Sequence, residues 1–316
     1  MQSVFKTSLV LQEQPPWLLG SVKEWGAHTL DRQRLRQSAG QLRHHPRFAL
    51  AKRQFALNML YAFETHPPLC RLLRGEGELA FLAFVLALHH ERDPDDPDSG
   101  ATYSRVLELF GLLDVGSPTL VKALLALTRI RGLLKVEPVG GRKKRLIPSE
   151  TLLQTLLVWL RANLKAVEIL TALPESADTL GSRPDMLYMI YRFGVDAYRH
   201  NRFILSEDFP AVRTFMTRSN GYLVLMAIIA TLQFRQDGVY TAAVPTADLS
   251  AKLSISRGTV RNLLNVAQQH GWVGQMSRGS HQIEISPEFF EICEDWMSME
   301  LAWMQGVAST AWRVLV

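Results

Sequence analysis

The stretch SISRGTVRNLLNVAQQHGWV, residues 254–273, decides how the rest of the chain is read. Ser256 stands just before an apolar period, where a hydroxyl accepts one of the orphan backbone N–H groups of a helix start. Val260, Leu263, Leu264 and Ala267 then fall at i, i+3, i+4 and i+7, a stripe that faces a core. The opposite side carries Arg257, Gly258, Arg261, Asn262, Asn265 and Gln269, with no acid among them. Arg, Asn and Gln are the side chains that pair with base edges in a major groove. Thr259, in the first turn, is placed to touch a phosphate or a thymine methyl.

A worn copy lies 139 residues earlier, in GSPTLVKALLALTRIRGLL (116–134). Ser117 matches Ser256, Val121 matches Val260 and Lys122 matches Arg261. Leu124-Leu125 meets Leu263-Leu264, and Gly132 meets Gly271. The same offset carries Leu146 onto Ile285 and Pro148 onto Pro287. Upstream it drifts to 140 and then to 144 (Gly77 with Gly221), as loop insertions such as ERDPDDPDSG (91–100) would make it. Self-similarity at a fixed period predicts a tandem repeat.

Each copy has one coarse plan. An amphipathic helix (48–65; 186–204) precedes a short helix and an apolar one (79–90; 221–235). A helix (102–113; 246–253), a tight turn and a second helix (118–131; 257–270) follow. A β-hairpin (133–137 with 144–147; 272–276 with 282–285) and a closing helix (149–170; 287–306) end the unit. The expected class is mainly α with small β-hairpin wings. The expected organisation is an N-terminal extension (1–47), a first unit (48–170), a linker (171–185) rich in helix breakers, and a second unit (186–316). At 316 residues the chain is long enough for two domains, each with its own core.

Charge is placed unevenly. The net charge is +5. Residues 115–149 hold eight Lys/Arg and one acid, and residues 249–283 hold four Lys/Arg and none, so the rest of the chain is net acidic. Two basic islands on an acidic body fit a polyanionic partner met at two places. The hairpin tips, VGGRKKR (139–145) and MSRGSH (276–281), are glycine-bearing and basic. They suit phosphates or a minor groove beside a helix in the major groove.

Helix, turn, helix and basic hairpin together resemble the winged helix-turn-helix family, most closely regulators of the multiple-antibiotic-resistance (MarR) type. Those regulators are homodimers joined through terminal helices, so the resemblance implies a pseudo-dimer within one chain; further homodimerisation stays open. It also implies binding of double-stranded DNA by the second helix and the wing. Carried over, that assigns Ser256, Arg257, Thr259, Arg261, Asn262 and Asn265, with wing residues Arg278 and His281. In the first copy it assigns Ser117, Thr119 and Lys122, with Arg142, Lys143, Lys144 and Arg145. The first helix is poor in groups that bond bases, whereas its wing has four consecutive cations. The expectation is a division of labour in which the second unit reads bases and the first grips phosphates. The resemblance further implies an aromatic effector between the dimerisation helices and the DNA-binding lobe, near Tyr61, Phe63, Tyr188, Tyr191 and Phe193.

Two other functions fit the same pattern. Winged helices also dock proteins, and tandem ones serve plasmid-type replication initiators. Against a protein adaptor stands the acid-free stretch 249–283, since protein-binding faces usually mix signs. Enzymatic signatures are thin. His89 and His90 precede ERDPDDPD, but the Asp spacing fails the calcium-loop pattern, and no nucleophile stands in a recognisable setting. Cys70 and Cys293 match no metal or redox spacing and read as free thiols of a reducing cytosol. Neither a secretory signal nor a membrane-length apolar run is evident. The expectation is a cytoplasmic, non-enzymatic regulator with no metal and no cofactor. Residues 32–53 hold seven Lys/Arg, readable as an arm along flanking phosphates or as a cap whose cations face water.

Overall fold

The structure, a computed structural model, describes residues 32–73, 75–96, 99–140, 143–201, 205–274 and 281–316. It is mainly helical, with a two-stranded and a three-stranded antiparallel sheet. The N-terminal segment forms α1 (Arg32–Arg43). Then come α2 (Phe48–Thr65), α3 (Pro67–Leu72), α4 (Glu76–His90), α5 (Tyr103–Leu113), α6 (Pro118–Ile130), β1 (Leu134–Gly140), β2 (Lys143–Pro148) and α7 (Glu150–Leu170). A short α8 (Ala177–Leu180) leads into α9 (Pro184–Asn201), a 3₁₀ turn (Leu205–Asp208), α10 (Pro210–Met216) and α11 (Gly221–Thr231). The remainder is β3 (Gln233–Phe234), β4 (Tyr240–Ala243), α12 (Thr246–Leu253), α13 (Arg257–Gln269), β5 (Gln282–Ile285) and α14 (Pro287–Leu315).

The same local chemistry starts and stops the corresponding helices in the two halves. Ser117 Oγ accepts from Leu120 N–H (3.2 Å) and Ser256 Oγ from Thr259 N–H (3.0 Å), capping α6 and α13. Ser149 and Ser286 cap α7 and α14 in the same manner, each at 3.2 Å. The turn before α6 hinges on Asp114 (φ 50°) and that before α13 on Ser254 (φ 54°), both left-handed. Gly132 (φ 67°) and Gly271 (φ 73°) end α6 and α13, where a Cβ would strain the backbone. The carbonyls of Leu133 and Trp272 accept from Ser149 and Ser286 N–H, so each closing helix is tied to the residue after its glycine.

That last pair revises the alignment across the wing. Ser149 corresponds to Ser286, not Pro148 to Pro287, which makes the stretch between α13 and α14 two residues shorter than that between α6 and α7. The sheets also differ from expectation. β5 pairs mainly with β4 (Thr241 with Glu284, Ala242 with Ile283), and the expected partner segment at 272–276 contributes a bridge from Val273 to Ile285. Residues 275–280 lie outside the described residues. β3 and β4 were absent from the sequence reading, although Asp237-Gly238 between β-prone residues is a hairpin signal. In the first half this third strand shrinks to a bridge between Thr102 and Arg145.

Packing interleaves the halves. α2 packs on α7, its own closing helix, and on α11 of the other half; α9 packs on α14 and on α4. α5 touches α9 and α12 touches α2, while α7 meets α14. Exchanging the halves thus reproduces the main contacts. The buried apolar side chains form one continuous cluster drawn from both halves, in place of the two separate cores expected. The expected linker is itself packed: α8 lies on α7, and Glu168 Oε1 accepts from Ala177 N–H at 3.0 Å. α1 packs on α14, at the far end of the chain.

Candidate nucleic-acid interface

α13 is set by the stripe predicted for it. Val260, Leu263, Leu264 and Ala267 are buried, each larger aliphatic chain contributing about 1.5–3 kcal/mol by leaving water. The helix bundle behind it, α11 and α12, fixes the opposite side outward. Arg257, Arg261, Asn262 and Asn265 are all exposed there. Among the described residues neither arginine forms an ion pair; the nearby Lys252 is 3.6 Å from Glu64. The first turn of α13 has no acid and begins with Arg257. A cation at the positive end of the helix dipole is locally unfavourable, and an external anion would relieve it.

Two predicted contacts are engaged elsewhere. The Ser256 hydroxyl caps the helix, and it lies 2.8 Å from the Thr259 hydroxyl, which is half-buried. Their local role is to fix the helix start. His281 is exposed, and its carbonyl accepts from Val244 N–H at 2.7 Å, closing the three-stranded sheet. Arg278 lies outside the described residues.

The first copy presents a different face. Ser117 caps α6, while Thr119 and Lys122 are exposed alongside Ala123, Ala126, Arg129 and Ile130, the last 85% exposed. Lys143 and Lys144 project from β2; Arg142 lies outside the described residues. Arg145 requires a correction. It is 6% exposed, paired in register with Glu137 on β1 and covered by the acidic loop after α4, so it is withdrawn from any phosphate. Burial and the nearby Arg92 guanidinium lower its pKa from the usual value, while Glu137 and Asp96 oppose that shift. The outward basic set of the first hairpin is therefore smaller than four.

Five of the seven cations of the basic N-terminal run (Arg32, Arg34, Arg36, Arg47 and Arg53) are exposed, as in a cap whose cations face water, and four of the seven are paired with acids of the second half. Arg32 and Arg36 pair with Asp208, Arg43 with Glu291 and Asp295, and Lys52 with the buried Glu294. Cations from the first part of the chain thus meet acids of the second. The loop at 91–100 is also internal in its bonding: Glu91 holds Arg105 and Arg199. Burial lowers His89 and His90 to about 4, so both rings are neutral at pH 7. Among the described residues no group of three or more His, Cys, Asp or Glu is placed to hold a metal ion, and no helix is long and apolar enough to cross a membrane. Cys293 is a buried free thiol, pushed up to about 12 by burial.

The five aromatic residues expected near an effector are dispersed. Tyr61 is 68% exposed, Tyr188 stacks on His90 (5.7 Å between centroids), and Phe193 is in the core. Phe63 and Tyr191 line a cavity of about 140 Å³ between the halves. Sequence reading overlooked two carboxylates there, Glu76 and Glu300. The signal was present in WMSMELAW (296–303), where one acid interrupts a run of Trp, Met and Leu.

A scan against protein-family models, a search of curated proteins and a search of solved structures each found no match to this chain.

Proposed function

We propose that this chain is a cytoplasmic transcription regulator that binds double-stranded DNA through two fused winged helix-turn-helix units, a tandem duplication packed as a pseudo-dimer and resembling the MarR type. The shared element order, the matched serine caps and the partner exchange of α2 and α9 support the duplication. One observation carries the DNA reading. α13 turns two arginines and two asparagines outward on one face that no acid of the chain answers among the described residues. Arg and Asn provide the two-pronged bonds that distinguish guanine and adenine edges. Lys143 and Lys144 on the first wing, with Lys122 on α6, supply sequence-blind phosphate contacts.

The halves present different surfaces, so the expected operator is asymmetric. Selection of bound sites from random duplexes by the purified chain tests this. Enrichment of a motif is the expected outcome, and retention of no duplex at low salt overturns it. Lys143→Ala with Lys144→Ala is expected to weaken binding to all duplexes alike and to flatten the salt dependence by about one charge per lost phosphate contact. A change in the selected motif would reverse the assigned roles.

A protein-docking role remains a second reading for the first unit alone. Its α6 face exposes Ile130, Ala123 and Ala126, with Leu112 41% exposed nearby. That is an apolar surface where α13 has a polar one.

A further inference from the structure

The cavity between the halves has a composition that specifies its ligand. α14 supplies Trp296, Glu300 and Trp303, α9 supplies Tyr191 and Tyr198, and the first half supplies Trp159 and Glu76 among other residues. Its walls are two aromatic stacks: Tyr198 on Trp303 (4.6 Å, 10°) and Tyr191 on Trp159 (5.8 Å, 22°). The lining contains two carboxylates and no Lys, Arg or His. Glu76 accepts from the Ser206 hydroxyl. Glu300 has no hydrogen bond or ion pair among the described residues, and the buried Tyr191 hydroxyl has no partner.

We propose that this cavity binds a small lipophilic organic cation, an aromatic ring bearing a protonated amine, with the ammonium on Glu300 and the ring between the Trp and Tyr walls. An ammonium is attracted both by a carboxylate and by aromatic faces, whose quadrupoles present negative charge. A volume of about 140 Å³ takes a single ring: a buried apolar cavity of about 150 Å³ is known to hold benzene. An aromatic carboxylate would add a third acid to a lining without a cation. Burial raises Glu300 to about 7, as befits a carboxyl lacking a counter-ion. The other titratable groups facing it are Tyr198 and Tyr222, with Glu76 also acting on Tyr198, and all are neutral or acidic. The lining of the cavity alone selects this ligand class, and no nucleic acid enters its test.

Isothermal titration of the full chain with 2-phenylethylamine, 2-phenylethanol and phenylacetate separates the possibilities. The amine is expected to bind at least tenfold more tightly than the alcohol, and phenylacetate not at all at millimolar concentration. Glu300→Gln should bring the amine to the affinity of the alcohol while leaving the alcohol unchanged. Gly194→Leu keeps Glu300 but fills the cavity, since a Cβ there already lies 3.6 Å from Trp303; it should abolish binding of both the amine and the alcohol. At pH 7.5 amine binding should release protons, read as a dependence of the heat on buffer ionisation. Phenylacetate binding as tightly as the amine, undiminished amine affinity in Glu300→Gln, or no binding of any probe would each overturn the proposal.

Discussion

Four of the seven cations of residues 32–53 and the two arginines of α13 are the same chemistry put to opposite ends. Arg32, Arg36, Arg43 and Lys52 are each met by a carboxylate from the second half of the chain. Arg257 and Arg261 are met by none among the described residues. A count of basic residues weighs the two regions alike, and only the fold separates them. Charge answered within the chain is spent on holding the halves together, whereas charge left unanswered is free to act on a partner. Glu300 extends the contrast to an acid, unanswered and internal.

The strongest way to break this comparison is Lys52→Met. The side chains of Lys52 and Glu294 are 9% and 11% exposed, so removing the cation strands a carboxylate out of water. Breaking a buried pair from one side costs about 3–5 kcal/mol, and urea unfolding should register it. Replacing both partners, with Glu294→Leu added, should recover most of the loss. A single-variant cost under about 1 kcal/mol would mean that Lys52 does not clamp α2 to α14.

On the unanswered side, Arg261→Ala or Asn262→Ala should each cost about 1–3 kcal/mol in binding to the selected duplex and relax its sequence preference. Unfolding free energy should stay within about 0.5 kcal/mol, as for other exposed sites. Equal losses on every duplex would reduce these residues to phosphate contacts. The matching changes on α6, Thr119→Ala and Lys122→Ala, should leave sequence choice untouched, which sharpens the difference between the two helices.

Much of this was legible in the sequence, and the failures share a cause. The helix periods and the serine caps were readable because they depend on neighbours a few residues apart. The stripe Val260, Leu263, Leu264, Ala267 is buried as its spacing required. Arg145 looked like one of four equal wing cations because its burial depends on a loop some fifty residues away, and Lys52 finds its acid 242 residues on. β4 is four residues long and draws its pairing from β5, beyond any local signal except the Asp-Gly turn. Long-range partners, not local propensities, were the missing information.

Glu300→Gln tests the internal acid. The folded state holds this carboxyl at about 7, against about 4.3 in an unfolded chain. Between those values the folded protein keeps a proton that the unfolded chain has released, so stability falls as pH rises through this window. The glutamine variant has no such loss. Its melting temperature should match that of the parent near pH 4 and exceed it above pH 7 by a few degrees. A constant offset at all pH values would assign the change to packing instead of charge.

The smallest effect discriminates the arm from the clamp. Arg32 and Arg36 share Asp208, and their side chains are 43% and 59% exposed, so solvent screens both pairs. Losing both should cost less than about 1 kcal/mol of stability. If the N-terminal run lay along flanking phosphates, the same double change would lower the slope of log affinity against log salt by about 1.8, at about 0.9 per contact. The pairing with Asp208 predicts no change in that slope. A parallel measurement on Lys143→Ala with Lys144→Ala provides the positive control, because those cations are exposed on the wing. A slope altered by the arm and unmoved by the wing would invert the comparison, placing the working charge at the N-terminus and the structural charge on the hairpin.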